Sequence, residues 1–314
     1  MTAPVAIVGA GSIGVSWAIV FARAGRVVRL QDPDPERRAA APGEIAARLA
    51  QLDAAGLLGE APEAIAGRVT VGDDLAAAVA RAAHVQECAP ERVELKREVF
   101  ARLDALAAPD AVLASSSSAI VASTVAEDLP GRTRCLVVHP GNPPHLIPVV
   151  EVVPAPFTDP AVVDRTVALL SEAGQSPVVV RREIEGFVFN RLQGALLREA
   201  YCLVRDGVAS VDDVDRVVRD GLGRRWAFVG PFETADLNTR GGIASHAEKL
   251  GPAYARMGAE RGQDDPWTPD LVAEVTAQRR ALLALEDWDA RVAWRDEALI
   301  ALERARRELA GGGN

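Results

Sequence analysis

The sequence predicts an α/β protein, with an N-terminal Rossmann-type, doubly wound sheet followed by an all-α C-terminal domain. Three observations lead to this fold class. A glycine-rich turn joins the first apolar run to a helical pattern, β-rich runs alternate with helical patterns over residues 1–182, and strand-like runs almost vanish over residues 183–314. Alternating strands and helices indicate a parallel sheet that helices cover on both faces. The predicted division is therefore a dinucleotide-binding domain, 1–182, and a helical substrate or dimerisation domain, 183–314.

The first predicted strand, Val5–Val8, runs into a GxGxxG turn formed by Gly9, Gly11 and Gly14. The first glycine permits the tight turn, the second lets the backbone approach a pyrophosphate, and the third lets the helix pack close to the strand. The helix N-terminus then faces the phosphates. Asp32 closes the next apolar run, where its carboxylate would accept hydrogen bonds from the adenosine ribose and repel a 2′-phosphate. This context predicts binding of NAD rather than NADP, and a βα turn that serves packing alone is the alternative.

The remaining elements continue the alternation. The predicted strands are Val5–Val8, Val27–Leu30, His84–Glu87, Val112–Ser115, Cys135–Val138, Val149–Val153 and Pro177–Val180. The predicted helices of the first domain are Ile13–Arg23, Pro35–Ala55, Glu91–Leu106 and Pro160–Ala173. Little helix separates the last three strands, which favours antiparallel pairing at that edge of the sheet.

The second domain shows helical periodicity throughout. Apolar residues over 187–203 fall near one face of a long helix that ends at Asp206. Ser210 is the predicted N-cap of a second helix, which ends at Gly221. Residues 280–309 carry alternating charges with Leu and Trp at helical spacing, which is typical of a solvated amphipathic helix.

Composition excludes several classes of partner. The chain has 314 residues and a formal net charge of −9, whereas nucleic acids and anionic membranes recruit clustered positive charge. No uncharged apolar stretch approaches the ~18 residues of a membrane span, and the first strand begins too early for a signal peptide. Cys88, Cys135 and Cys202 are odd in number and lack CxxC spacing. We therefore expect reduced thiols in the cytoplasm and no metal site.

Two polar residues interrupt apolar strands. His139 ends the run that begins at Cys135, and open α/β sheets place their ligands where such strands end. Glu151 lies among valines in the next strand, where a carboxylate is costly to bury without a partner. His139 becomes that partner if the two strands are neighbours. An exposed edge-strand glutamate and a surface histidine are the alternative, because strand positions alternate between faces.

Three further features stay open on the residues alone. The run Ser115–Ser118 follows a strand end, where serines usually form loops or N-caps, and without GxSxG it does not indicate a hydrolase nucleophile. Asn190 opens an aromatic-rich helix, where a solvated position is the simpler interpretation. Lys96 and Lys249 are the only lysines of an arginine-rich chain, which suits either a special role for a compact ammonium or chance.

These motifs, in this order, resemble the 3-hydroxyacyl-CoA dehydrogenase superfamily, with a closer likeness to its λ-crystallin branch, the L-gulonate 3-dehydrogenases. The resemblance covers essentially the whole chain. The matching motifs are GAGSIGVSWA, QECAPERVELK, SSSSAI, HPGNPP, PVVEVVP, GFVFNRLQ, GLGRRWAFVGPFET and WRDEAL. The sequence departs at Gly141, often a bulkier apolar residue in relatives, and at His145, often aromatic. Both flank His139, so they bear on the identity of the substrate.

The resemblance implies the site residues. It makes His139 the catalytic base, Glu151 its carboxylate partner, and Ser118 and Asn190 the residues that hydrogen-bond the reacting group. It implies NAD as cofactor and a homodimer as the assembly. The cofactor contacts that it implies, together with the motif glycines, are Gly9, Gly11, Ser12, Ile13, Gly14, Asp32, Glu91, Lys96 and Asn142.

The implied reaction is the NAD-dependent oxidation of the 3-hydroxyl of a small L-3-hydroxy acid, such as L-gulonate, to the 3-keto acid. The free carboxylate of such a substrate needs a positive charge as its partner, and Arg224 or Arg225 is a candidate. The alternative is that both are solvated surface arginines without a substrate contact. An L-3-hydroxyacyl-CoA substrate with the same mechanism is the second hypothesis, which the acidic net charge disfavours. A non-catalytic, crystallin-like NAD-binding protein is the third.

Overall fold

The computed structural model describes residues 3–227, 229–238, 242–261, 270, 277, 281 and 284–311. The chain divides into two compact units, Met1–Asn190 with Trp294–Asn314, and Arg191–Ala293. The first unit thus ends at residue 190, where the sequence suggests 182, and it also includes the last helix from Trp294 onward, where Ile300 packs into the core. The assignment of cofactor and substrate binding to separate domains stays a prediction.

The first unit contains one eight-stranded sheet. Its strands are β1 (Val5–Val8), β2 (Val28–Gln31), β3 (Val69–Gly72), β4 (His84–Glu87), β5 (Val112–Ser115), β6 (Cys135–Pro140), β7 (Val149–Pro154) and β8 (Ser176–Val179). The strand order is β3-β2-β1-β4-β5-β6-β7-β8. Pairing is parallel except between β6 and β7, which run antiparallel as predicted. The predicted antiparallel pairing of the last strand is wrong, because the helix Pro160–Glu172 connects β7 to β8 and the two strands run parallel.

Helices cover this sheet and make up the described part of the second unit. The helices around the sheet are α1 (Ser12–Arg23), α2 (Pro35–Ala54), α3 (Pro62–Ala66), α4 (Leu75–Val79), α5 (Val93–Leu106), α6 (Ala122–Ala126) and α7 (Pro160–Glu172). The helices that follow are α8 (Phe189–Arg205), α9 (Val211–Val217), α10 (Gly223–Trp226), α11 (Pro231–Asn238), α12 (Gly242–Arg261) and α13 (Trp288–Gly311). The predicted fold class, a Rossmann-type sheet followed by a helical half, is confirmed. Among the described residues, none of these helices is both long and apolar enough to cross a membrane.

Some predicted element bounds are wrong. The prediction omits β3, a four-residue edge strand whose residues are alternately half-buried and exposed and end in a glycine. Ser210 caps α9 as predicted. The helix does not end at Gly221, because the chain continues through a π-helical turn, Val218–Leu222, directly into α10. The predicted helix over 280–309 begins at Trp288 in the structure, and residue 280 lies outside the described residues.

The core explains how the sheet presents polar groups at one edge. Helix α1 is buried along most of its length, with Trp17 stacked on Phe21 at a centroid distance of 5.4 Å. Strands β1, β4, β5 and β6 are buried on both faces, as expected for strands covered on each side by helices. Their carboxyl ends therefore meet at one edge, which carries the glycine turn, Glu87, Ser115 and His139.

One buried histidine lies inside this core. His84 begins β4, is 1% exposed, and its Nε2 lies 2.9 Å from Oε1 of Gln86. Its Nδ1 has no hydrogen-bond partner among the described residues. Burial lowers the pKa of His84 from 6.5 to about 4, and the hydrogen bond to Gln86 offsets only part of this shift. The folded protein therefore holds this imidazole neutral where the unfolded chain protonates it.

We predict that His84 makes the fold less stable in mild acid. Between pH 6.5 and about 4 the unfolded state binds the extra proton, so the free energy of unfolding falls as pH falls, by up to about 3 kcal/mol. Urea unfolding at several pH values measures this slope. His84→Gln keeps an N–H donor for Gln86 but does not titrate, so its free energy of unfolding should change less over the same range. Equal pH slopes in the two proteins would contradict the prediction.

Candidate active site

His139 and Glu151 face each other across the antiparallel pair β6–β7, as direct register partners. Nδ1 of His139 lies 2.7 Å from Oε2 of Glu151. The two residues are only 6% and 3% exposed. Because an ionised carboxylate only accepts, Nδ1 carries the hydrogen and Nε2 of the neutral imidazole keeps its lone pair. The sheet thus brings together the two residues that the sequence marks as a possible pair.

The second oxygen of Glu151 receives two backbone donors. Its Oε1 accepts from the N–H groups of Val188 and Phe189, at 2.7 and 2.9 Å, where α8 begins. The first N–H groups of a helix lack partners within the helix, so Glu151 satisfies donors that would otherwise be unpaired. Burial alone would raise the pKa of Glu151, but the hydrogen bonds from His139, Phe189 and Val188 outweigh it and lower the pKa below its ordinary value. Glu151 therefore stays ionised at neutral pH.

A left-handed turn aims these backbone donors. Gly186 and Phe187 both have positive φ, 74° and 48°, and for a bulky residue this conformation costs about 1–3 kcal/mol. The fully buried Phe187 ring packs 5.5 Å from the His139 ring, centroid to centroid, and the Phe189 ring lies edge-on at 6.3 Å. The turn therefore directs two N–H groups at Glu151 and brings the rings of Phe187 and Phe189 against the His139 ring.

In the run Ser115–Ser118 at the end of β5, the first three serines are hydrogen-bonded within the protein and the fourth is exposed. Ser115, Ser116 and Ser117 each make side-chain hydrogen bonds inside the protein. Their partners are Glu87 for Ser115, Trp17 and Gln86 for Ser116, and Glu91 for Ser117. Ser118 is exposed, and its carbonyl accepts a hydrogen bond from Nδ2 of Asn190 at 3.0 Å. The structure thus brings Ser118 and Asn190 together, as two candidate site residues.

The side chain of Glu91 binds the backbone of the loop that contains Ser118. Its Oε1 accepts from the backbone N–H groups of Ser118 and Ala119, at 3.0 and 3.1 Å, and from the Ser117 hydroxyl. Burial would raise the pKa of Glu91, but the Ser117 hydrogen bond and the charge of Lys96 outweigh it and lower the pKa. In this structure Glu91 positions Ser118, and its predicted contact with NAD stays a prediction.

Lys96 is buried, only 1% exposed, and its predicted contact with NAD stays a prediction. Its Nζ lies 2.9 and 3.0 Å from the two oxygens of Glu87 and 3.1 Å from the carbonyl of Ala89. The compact ammonium therefore braces the end of β4 in a space enclosed by protein. Sequence reasoning missed Glu87, because β4 reads His-Val-Gln-Glu and contains no apolar run in which a carboxylate stands out.

The glycine turn and Asp32 lie around a cleft of about 580 Å³. A Cβ on Gly9 would lie 2.8 Å from the carbonyl oxygen of Cys88, and one on Gly14 would overlap the Gly9 carbonyl, so both positions need glycine. A Cβ on Gly11 would meet nothing within 4 Å and would project into open space beside the helix start. This open approach to the backbone fits a pyrophosphate, so the residues present fit a dinucleotide.

Asp32 is preorganised at the end of β2. Its Oδ2 accepts from the N–H of Ala10 at 2.7 Å, and its Oδ1 accepts from the N–H of Asp34 at 2.8 Å. Ser12 and Ile13 form the first turn of α1 beside it. A carboxylate fixed in this way has lone pairs left for ribose hydroxyls and presents a negative charge that opposes a 2′-phosphate.

The remaining predicted residues are dispersed. Asn142 is exposed on the loop after β6. Arg224 and Arg225 lie on α10 in the second unit, where Arg225 donates to Asn238 at 3.0 Å. Their substrate contacts stay predictions. Within the ranges that the structure describes, no group of three or more His, Cys, Asp or Glu side chains is arranged to hold a metal ion.

The departures from the family pattern do not enlarge the site. A Cβ on Gly141 would lie 2.4 Å from Cγ2 of Ile147, so that side chain already fills the space. His145 is buried, and its Nδ1 lies 3.1 Å from the hydroxyl of Ser16 on α1.

Comparison with known proteins agrees with this geometry. Residues 4–184 match the family model for the 3-hydroxyacyl-CoA dehydrogenase NAD binding domain, and residues 186–282 match its C-terminal domain. A lambda-crystallin homolog of Bos taurus is 43% identical, over 97% of this chain and 96% of that protein. An L-carnitine dehydrogenase of Streptomyces griseus is 40% identical, over 84% of this chain and 76% of that protein.

A solved structure extends the likeness to three dimensions. It is 5-formyl-3-hydroxy-2-methylpyridine 4-carboxylic acid 5-dehydrogenase, described as an NAD+-dependent dismutase. The TM-score is 0.84 at 28% identity, over 97% of this chain and 98% of that one. The chain thus belongs to the 3-hydroxyacyl-CoA dehydrogenase family and is an NAD-dependent dehydrogenase.

Proposed function

We propose that this dehydrogenase oxidises the 3-hydroxyl of a small L-3-hydroxy acid, similar to L-gulonate, to the 3-keto acid, with His139 as general base. The observation that supports this proposal is the buried 2.7 Å contact between His139 and Glu151. Relatives point to the same substrate class, since one is named for L-carnitine, which is itself a small 3-hydroxy acid. An L-3-hydroxyacyl-CoA substrate with the same mechanism is the alternative, which the family name favours.

The base works through the far side of its ring. The carboxylate of Glu151 fixes the hydrogen on Nδ1 of His139, which leaves Nε2 to take the hydroxyl proton. As the proton arrives, the imidazole becomes positive and the ionised Glu151 stabilises it. NAD, when bound, supplies the acceptor for the hydride. In the reverse direction the imidazolium returns the proton to the reacting oxygen.

Ser118 and Asn190 would bind the substrate beside this base. Asn190 donates to the Ser118 carbonyl at 3.0 Å, and Glu91 holds the backbone of the same loop at 3.0 Å. The Ser118 hydroxyl is thereby kept at the protein surface with its loop fixed at two points. A hydroxyl and an amide can hydrogen-bond the reacting oxygen, or the carbonyl group next to it, while charge shifts. Arg224 or Arg225 is the proposed counter-charge for a substrate carboxylate.

We also infer that the protein forms a homodimer. Large apolar side chains are exposed on the second unit, where Leu192 is 61%, Phe232 is 82% and Leu237 is 70% exposed. Extensive exposed apolar surface on a protein often marks an interface with another chain. This supports the helical unit as the dimerisation surface.

The first prediction concerns the base and its partner. His139→Ala should lower kcat by roughly 10²–10⁴-fold, the usual span for a positioned acid–base group. Glu151→Gln should lower it by a comparable factor, because an amide N–H facing Nδ1 disfavours the productive tautomer. Steady-state NADH absorbance measures both. Glu183→Gln is the matched control, since Glu183 also accepts a backbone N–H and a side-chain donor, both from Ser123, but contacts no histidine. Near-normal turnover of His139→Ala would remove His139 from the role.

The second prediction concerns the substrate. In a panel of L-gulonate, L-3-hydroxybutyrate, L-carnitine and L-3-hydroxybutyryl-CoA, kcat/KM followed by NADH absorbance should be highest for one of the free hydroxy acids. Replacing both Arg224 and Arg225 with glutamine should raise KM for that acid and leave KM for the thioester nearly unchanged. A highest kcat/KM for the CoA thioester would support the alternative substrate class instead.

The third prediction concerns the cofactor. The carboxylate of Asp32, which Ala10 holds in place, should make NADH bind more tightly than NADPH. Asp32→Asn should weaken NADH binding by about tenfold, because the ribose hydroxyls lose a charged acceptor. Fluorescence titration gives both dissociation constants. Asp73→Asn removes an exposed carboxylate from the same cleft and serves as the control. Tighter binding of NADPH by the unmodified protein would contradict this prediction.

A further inference from the structure

Helix α2 brings two guanidinium groups against the glycine turn. Arg37 donates from Nη2 to the carbonyl of Ala10 at 2.7 Å. Arg48, further along the same helix, donates from Nη1 to the carbonyl of Ser12 at 3.0 Å and from Nη2 to the Ser12 hydroxyl at 3.1 Å. Neither arginine belongs to the GxGxxG motif, yet both contact residues of the turn that it forms.

Arg48 is held firmly at the first turn of α1. Besides Ser12, its Nη1 donates to the hydroxyl of Ser16 at 2.7 Å, and that hydroxyl in turn donates to the Ser12 carbonyl at 2.8 Å. Its side chain is only 21% exposed. Holding a long, flexible side chain in one position costs conformational entropy. The network therefore fixes a positive charge within hydrogen-bond distance of the residue that begins the helix.

The charge of Arg48 has incomplete compensation. In the described part of the chain, every hydrogen bond that Arg48 makes goes to an uncharged oxygen. The carboxylate of Glu44 lies 3.6 Å from its Nη2 but is shared with Arg37, which is at 3.1 Å. Burial lowers the pKa of Arg48, the charge of Arg37 lowers it further, and those of Glu44 and Asp296 raise it. A nearby anion would stabilise this partly desolvated cation.

The helix start beside Arg48 also lacks an acceptor. Gly11 is the N-cap of α1 and has no capping side chain, and the first turn contains no acidic residue. No side chain of the first turn itself therefore neutralises the positive end of the helix dipole. The backbone at Gly11 faces open space, since an added Cβ would meet nothing within 4 Å. The Arg48 guanidinium lies within hydrogen-bond distance of Ser12, the residue that follows this open backbone.

We propose that Arg48 is a cofactor-binding residue that supplies positive charge at the pyrophosphate of NAD, with Ser12 and Ser16 positioning its guanidinium. The inference rests on the geometry of α1 and α2 and on the family's NAD binding, and it is independent of which hydroxy acid is oxidised. It assigns to α2 a part of the dinucleotide site that lies outside the glycine motif. A purely structural tie between α1 and α2 is the competing role.

Binding of three probes separates these roles. NADH and ADP-ribose contain the pyrophosphate, whereas adenosine does not. Arg48→Gln should raise the dissociation constants of NADH and ADP-ribose by about 10- to 100-fold, the range for a lost hydrogen bond to a charged group. The dissociation constant of adenosine should stay within about twofold. NADH fluorescence gives the first value, and competition against NADH gives the other two.

Two further variants control for charge and for folding. Arg48→Lys keeps the charge but loses the planar fork, so its dissociation constants should fall between those of the unmodified protein and Arg48→Gln. Arg29→Gln removes an arginine that donates to the carbonyl of Ala77 in an exposed contact, and it should bind all three probes normally. Equal weakening of adenosine and ADP-ribose in Arg48→Gln, with a lower Tm, would assign Arg48 to structure alone. An unchanged dissociation constant for NADH would also overturn the proposal.

Discussion

The carboxylate of Glu151 is the group on which the geometry of the site depends. One oxygen holds the imidazole of His139, and the other accepts the first N–H groups of α8 through Val188 and Phe189. Burying an ionised carboxylate costs several kcal/mol unless donors surround it, and three donors do so here. The same hydrogen bonds that make burial tolerable fix the histidine ring and the start of the helix. One set of hydrogen bonds thus fixes the position of the His139 ring and keeps Glu151 ionised.

This arrangement requires the antiparallel pairing of β6 with β7. In the observed register His139 and Glu151 are direct partners, so their side chains emerge on the same face. A slip of one residue would turn Glu151 to the opposite face and leave His139 without an acceptor. Glu151 and the valines on either side of it are buried, so both faces of the strand are covered, and the contact of Glu151 with His139 favours this register. A single reversal in an otherwise parallel sheet therefore creates the pair.

A second buried charge cluster fixes the loop opposite the histidine. Lys96 and Glu87 form an ion pair that is almost inaccessible to solvent, and Ser115 donates to the same glutamate at 2.6 Å. A buried ion pair is a weak source of stability because desolvation of both charges opposes their attraction. Its evident effect here is positional, since it ties the end of β4 to the beginning of the serine loop. Glu91 then continues the tie to Ser118.

The sequence indicated the fold class because periodicity and glycine turns are local signals, and it indicated His139 and Glu151 because a polar residue in an apolar strand demands an explanation. Their contact depends on β6 and β7 being neighbours in the sheet, and the sequence alone did not establish that. Glu87 gave no such signal, because its strand, β4, contains only one apolar residue, Val85. The packing of Ile300 into the first unit depends on contacts distant in sequence, which no local pattern encodes.

Gly141 and His145 depart from the family pattern near His139, but neither residue alone defines the shape of a substrate pocket. Ile147 occupies the space that a side chain at Gly141 would need, so the glycine leaves no extra room. His145 instead contacts Ser16, the hydroxyl that also receives Arg48. The loop between His139 and Glu151 is thereby joined to the helix that begins at the glycine turn. His145 and Arg48 thus contact the same hydroxyl on α1.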